Sequence, residues 1–319
     1  MSARLAVITG GAGFVGSHLC ERLVADGYRV PCFDDLSTGR ESNLRGLANE
    51  AGFEFLERDV SDGPLSVPGS VDLVLHLASP APPRDYTRLA VETLKVGSLG
   101  TLNALELARS KQARFLLAST SEVYGDPQVH PQHEGYWGNV NPVGARSMYD
   151  EAKRFGEAAT TAYRNSRGVD AKIMRIFNTF GPRMRADDGR MIPNFILQAR
   201  RGEPMAVTGT GRQTRTLCYV SDMVDGAVRL VHSQLAGPVT LGGLRETTVL
   251  ETAETIRELV GSTSPITFVD RPQDDPELRR PDIRLVERAL GWRPRVELEP
   301  ALRVTVSHFA ALASAPLNT

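Results

Sequence analysis

The run Gly10-Gly11-Ala12-Gly13-Phe14-Val15-Gly16 constrains this chain more than any other stretch, because it joins the strand-like residues 5–8 to a segment of helical periodicity at 14–26. Glycines at 10, 13 and 16 have distinct uses there. Gly10 permits a tight turn, Gly13 lets the backbone approach a pyrophosphate, and Gly16 lets helix and strand pack closely. Asp34 and Asp35 follow roughly twenty residues later, at the end of the next strand-like run, where a carboxylate accepts hydrogen bonds from ribose hydroxyls. The expected cofactor is NAD. Arg40 could hold a 2'-phosphate, but two neighbouring aspartates oppose one.

Apolar runs at 28–33, 53–56, 73–77, 114–118 and 171–176 continue the strand pattern, with helical periodicity between them at 87–111 and 147–167. That alternation predicts an α/β chain: a Rossmann-type doubly wound parallel sheet with a smaller C-terminal lobe. After about residue 180 the pattern loosens around glycines and prolines, with helical runs at 191–201, 222–233, 249–260 and 300–314. We expect residues 1–180 to bind the dinucleotide, with later segments able to return to that domain, and residues 181–319 mainly to bind substrate.

The 37 Lys and Arg nearly balance the 38 Asp and Glu of the 319 residues, so no net field attracts nucleic acid or an acidic membrane. No apolar stretch is long enough to span a bilayer, and a strand-like run begins at residue 5 where a leader's apolar core would lie. Cys20, Cys32 and Cys218 lack the spacing of a disulfide framework or a zinc site. No metal is expected, and the expected location is the reducing cytoplasm.

Tyr149 and Lys153 stand four apart on one face of the 147–167 helix. The ammonium, helped by a positive nicotinamide, would lower the phenol's pKa toward that of a general base. Lys153 could also hold the nicotinamide ribose. By itself this spacing more often marks a solvated helix pair; the glycine turn reverses that judgement. A partner hydroxyl is expected from Ser119, Thr120 or Ser121, which follow the strand at 114–118, and spacing does not choose among them.

Further segments are more specific: HLASPA from His76, STSEVYGDP from Ser119, YWGNVNPVG from Tyr136, YDEAKR from Tyr149, RIFNTFGPRM from Arg175, YVSD from Tyr219 and DDPELRRPDI from Asp274. With GGAGFVGSHL from Gly10, they span nearly the whole chain, which resembles the UDP-glucuronate decarboxylases among the extended short-chain dehydrogenases. The resemblance implies the hydroxyl role for Thr120, the base for Tyr149 with Lys153, decarboxylation roles for Glu122 and Arg279, and placement of the sugar carboxylate by Ser121. It extends the cofactor contacts to Phe14, Val15, Thr38, Asp59, Val60, Leu77, Ala78 and Ser79. For the nucleotide sugar it implies Lys95, Asn103, Asn178, Arg190 and Arg215. It also implies a homodimer formed through the helical segments 87–111 and 147–167.

Bland readings stand beside these. Glu122 could cap a helix, and Arg279 could join a surface cluster with Arg280 and Arg284. Two positions depart from the family pattern. Gly97 replaces the usual Asn, and Arg185 stands where the decarboxylases commonly carry His. An Arg fork there could clamp the substrate carboxylate and suppress its loss, so a nucleotide-glucuronate 4-epimerase is the alternative expectation. A sensor that binds without turnover is a third, disfavoured because Thr120, Tyr149 and Lys153 are all present.

Overall fold

The computed structural model describes residues 4–271 and 278–314; Asp274 to Glu277 of the DDPELRRPDI segment lie outside the described residues. Six of the apolar runs form the strands β1 (Ala6–Thr9), β2 (Val30–Asp34), β3 (Phe53–Glu57), β4 (Leu73–His76), β5 (Arg114–Thr120) and β6 (Ala171–Ile176). They pair in parallel with a seventh, Pro238–Leu241, in the order Pro238–Leu241, β6, β5, β4, β1, β2, β3. Every residue of β1, β2 and β4 is buried, as expected of a sheet covered on both faces.

Alternation along the strands divides the core in two. Ala6 and Ile8 face a layer holding Leu19, Leu23, Met223, Leu230 and Trp292, whereas Leu5 and Val7 face one holding Leu105, Leu107 and Ala159. The chain winds from β1 through β2 to β3, then returns to start β4 on the other side of β1. That reversal opens a crevice beyond the carboxyl ends of β1 and β4, where Gly10 and Leu77 follow the strands.

The helices Ser147–Arg167, Met191–Arg201 and Val249–Val260 coincide with the predicted segments. The expected continuous helix at 87–111 is instead broken into Pro83–Arg88, Ala90–Lys95, a widened turn at Val96–Gly100, and Thr101–Lys111. Leu89, at φ −110° and ψ 47°, leaves the helical region at the first break. The widened turn lies where Gly97 meets the neighbouring helix; a Cβ there would stand 2.5 Å from the Ala152 Cβ.

A second lobe has its own core of Phe195, Ile196, Val207, Ile256, Leu302 and Phe309. It carries a three-stranded sheet of Glu246–Thr248, Thr214–Thr216 and Leu278–Arg279, and the pair Met205–Thr208 with Ile266–Val269. Between those segments the chain returns to the large sheet through the helix Val220–His232 and the strand Pro238–Leu241, so the two lobes interleave in sequence. Among the described residues no helix is long and apolar enough to cross a membrane, and no group of His, Cys, Asp and Glu is arranged to hold a metal ion.

Candidate active site

The glycine turn lines one end of a cleft of ≈ 570 Å³ running between the two lobes. Gly10 has φ +75°, and a Cβ on it would lie 2.5 Å from the Ala78 nitrogen; one on Gly16 would lie 2.1 Å from the Gly10 oxygen. Any side chain at either position would therefore break the turn. Asp34 is buried behind it, accepting from the backbone N–H of Ala12 and of Leu36, each at 2.9 Å. Burial pushes its carboxyl up to about 6 against the pull of those bonds. Asp35 is exposed and accepts from the backbone and hydroxyl of Ser37.

Phe14, Val15, Thr38, Asp59, Val60, Leu77, Ala78 and Ser79 line the same end of the cleft, as do Gly13, Asp34 and Asp35. The buried Ser79 hydroxyl has no hydrogen-bond partner among the described residues. A backbone cradle that excludes side chains, acids at the second strand's end and a hydroxyl awaiting a partner together fit the expected dinucleotide.

β5 delivers the three adjacent hydroxyls to the middle of the cleft, and their neighbours separate them. Ser119 donates to Glu157 at 2.6 Å, while Thr120 accepts the Glu122 N–H at 3.2 Å and turns its hydroxyl to the Tyr149 phenol. Ser121 is buried and also lines the cleft. Lys153 lies one helical turn beyond Tyr149, its Nζ 5.7 Å from the Tyr149 ring centroid and donating to the Ala118 carbonyl at 2.9 Å.

The protein's own groups do not lower the Tyr149 pKa as the sequence suggests. Burial raises it and the negative Glu122 raises it further, with Thr120 pulling the other way. Lys153 is itself pushed down to about 8 by burial. Desolvation disfavours the charged form of each group.

Glu122, in the turn after β5, is the most heavily engaged acid of the site. Arg279 grips it with both terminal guanidinium nitrogens at 2.7 and 3.0 Å, and Arg146 donates to the same carboxylate at 2.6 Å. Burial alone would raise the Glu122 pKa, but Arg279 and Arg146 outweigh it and hold the group below the usual carboxylate range. Arg279 thus stands inside the cleft, whereas Arg280 pairs with Glu246 and Arg284 with Asp282.

Asn178, Arg185, Arg190 and Arg215 also line the cleft. Asn178 lies 3.5 Å from Arg279, and Arg215 donates to the Thr214 carbonyl at 2.8 Å. Arg190 pairs with buried Asp188 and covers the Phe14 ring. Arg185 pairs with Asp85 at 3.0 Å and Asp187 at 3.1 Å. Lys95 and Asn103 are not among the lining residues: Lys95 is exposed, and Asn103 donates to the Val60 carbonyl at 2.9 Å, behind the cofactor end.

Two site residues escape a reading of the sequence. Arg146 carries no motif of its own, although its place three residues before Tyr149 could have drawn attention to it. Tyr86, from the helix Pro83–Arg88, stacks on the Tyr149 ring at 5.0 Å with 13° between the planes. Only tertiary packing brings that ring to Tyr149.

Comparison with known proteins supplies the context for this arrangement. The family described as the NAD dependent epimerase/dehydratase family matches residues 6–240. UDP-glucuronic acid decarboxylase 1 of Danio rerio is 51% identical over 304 residues, covering 95% of this chain and 72% of that protein. UDP-glucuronic acid decarboxylase 3 of Arabidopsis thaliana is 46% identical over 313 residues, covering 98% and 91% respectively. Among solved structures, UDP-glucuronic acid 4-epimerase from Bacillus cereus, in complex with UDP-glucuronic acid and NAD, superposes with a TM-score of 0.88 at 25% identity, covering 97% of this chain and 99% of that one.

Proposed function

This chain belongs to the NAD dependent epimerase/dehydratase family, and from that premise we propose that it is a UDP-glucuronic acid decarboxylase, converting UDP-glucuronate to UDP-xylose. The observation that carries this reading is Glu122 clamped by Arg279 within a cleft that also holds Thr120, Tyr149 and Lys153. A plain oxidation and reduction at carbon 4 has no evident need for that buried ion pair.

Residues 1–180, with the returning segments, hold NAD through the glycine turn and the acids at the end of β2; residues 181–319 mainly hold the nucleotide sugar through Arg190 and Arg215, with Asn178 contributed from the border of the first domain. When bound, NAD supplies reversible two-electron oxidation at carbon 4 of the sugar. Tyr149 takes the proton of the 4-hydroxyl as a phenolate, which the positive charges of the bound nicotinamide and Lys153 would favour against the burial that raises its pKa. The resulting ketone stands β to the carboxylate on carbon 5, so the bond to that carboxylate breaks and its electron pair enters the carbonyl as an enolate. Tyr149, now protonated, and Thr120 donate hydrogen bonds to the enolate oxygen, which is where the charge develops. Carbon 5 takes up a proton, and reduction at carbon 4 restores the alcohol. Ser121, Glu122 and Arg279 handle the departing carboxylate and the proton at carbon 5.

The 4-epimerase reading needs Arg185 as a clamp on the substrate carboxylate. Its guanidinium is already engaged by Asp85 and Asp187 and donates to the Thr38 carbonyl at 3.4 Å, toward the cofactor end of the cleft. Given UDP-glucuronate, the purified protein is expected to release carbon dioxide and form UDP-xylose, as read by mass spectrometry. A galacturonate product without carbon loss would establish the epimerase instead, and recovery of unchanged substrate would leave only a binding protein.

The enzyme works as a homodimer through the outer faces of Ala90–Lys95, Val96–Gly100 and Ser147–Arg167. Val91, Leu94, Leu99 and Phe155 support this, being 58, 44, 50 and 42% exposed on those elements. Its place is the cytoplasm, in keeping with three cysteines that are all buried free thiols.

A further inference from the structure

A closed circuit of contacts joins Glu122 to the proposed base. The Arg146 carbonyl accepts the backbone N–H of Tyr149 at 3.0 Å and of Asp150 at 3.1 Å, opening the helix Ser147–Arg167. The guanidinium of the same residue reaches Glu122, 24 positions earlier, and the Glu122 backbone N–H returns to Thr120, whose hydroxyl faces Tyr149. Arg146 is 14% exposed at its side chain and lines the cleft. Arg279 arrives at the same carboxylate from the opposite lobe, on the strand Leu278–Arg279. One guanidinium is thus tied to the frame that carries Tyr149, and the other to the lobe proposed to hold substrate.

We propose that Arg146 is a positioning residue of the reaction that acts through Glu122: it donates to Oε2 of that carboxylate while Arg279 spans both oxygens, so Glu122 meets the substrate as a fixed, charged hydrogen-bond acceptor. This rests on the decarboxylase reading and deepens it by giving Glu122 the acceptor's part rather than the donor's. The groups around Glu122 divide by sign. Arg279, Arg146 and Arg215 favour its anion. Tyr149 and Asp150 from the helix Ser147–Arg167, and Tyr86 from Pro83–Arg88, share its field and are themselves pushed up by burial and by its charge. Without Arg146, burial gains on the remaining cations, and Glu122 protonates at a higher pH than in the intact site.

The test is the pH profile of carbon dioxide release by NAD-loaded protein supplied with UDP-glucuronate. In Arg146→Met the acid limb is expected to move up by about one unit or more, the scale of one opposite charge within contact distance. Arg146→Lys should restore most of the shift. In Glu122→Gln the limb set by that carboxylate should be absent, and adding Arg146→Met should move nothing further. Should the Met variant fail to fold, Arg146→Gln, which keeps a hydrogen bond without the charge, carries the same expectation. An unmoved limb in a folded, NAD-binding variant, or an equal shift in the Glu122→Gln background, would overturn the assignment. If the intact protein releases no carbon dioxide at any pH, the decarboxylase reading itself fails.

Discussion

At the scale of single residues, the proposed chemistry concentrates in Tyr149. Tyr149→Phe removes the group that exchanges a proton with the 4-hydroxyl but keeps the ring stacked on Tyr86, so turnover should fall about 10²- to 10⁴-fold. UDP-glucuronate affinity, measured by titration calorimetry, should change little. Retention of full turnover would remove Tyr149 from the mechanism. Asp34 gives a pH prediction. Burial pushes its carboxyl up to about 6, so it is ionised above that pH and protonated below it. Its capacity to accept from ribose hydroxyls therefore weakens as the pH falls through about 6, and NAD affinity should weaken with it; fluorescence titrations from pH 5 to 8 that give one constant affinity would contradict this. The glycines and the Tyr149/Lys153 pair were legible in sequence because their contacts are local. Arg146 was not, since its partner Glu122 lies in a different motif and only the folded backbone brings the two within 2.6 Å.

At the scale of elements, the helix expected across 87–111 breaks at Leu89 and widens at Val96–Gly100, where Gly97 meets the helix that carries Tyr149. Helical periodicity records which residues face inward, but it does not register how close the next backbone comes. Gly97 makes such an approach, and Asn at this position would bring a Cβ to 2.5 Å from the Ala152 Cβ. Gly97→Asn should cost about 1–3 kcal/mol through overpacking unless the two helices separate. A fall of a few degrees in Tm, read by calorimetry, is the expected outcome; an unchanged or raised Tm would show that the helices part without cost.

For the whole molecule, the exposed apolar residues of Ala90–Lys95 and Ser147–Arg167 lead to a prediction about assembly. Leu94→Glu combined with Phe155→Glu should convert a dimer to a monomer in light scattering, because two charges would be buried without partners at the contact. A monomeric mass for the unmodified protein would dispose of the proposed dimer. NAD, binding the folded chain alone, should raise Tm with concentration by mass action.

The sequence by itself determined six of the seven strands of the large sheet, their parallel winding and the place of the glycine turn, because hydrophobic period and turn glycines act over a few residues, whereas Pro238–Leu241 and the strands of the second lobe lay in the looser pattern after residue 180. It also marked the proposed chemical centre, through a pair one helical turn apart. Tertiary structure alone decided which arginine faces which acid. Arg279 reaches Glu122 across 157 positions, Arg185 is taken up by Asp85 and Asp187, and Asn103 supports the Val60 backbone instead of lining the cleft. Long charged side chains can pair with any acid the fold brings within reach, so their partners follow from the packing of the two lobes rather than from local pattern.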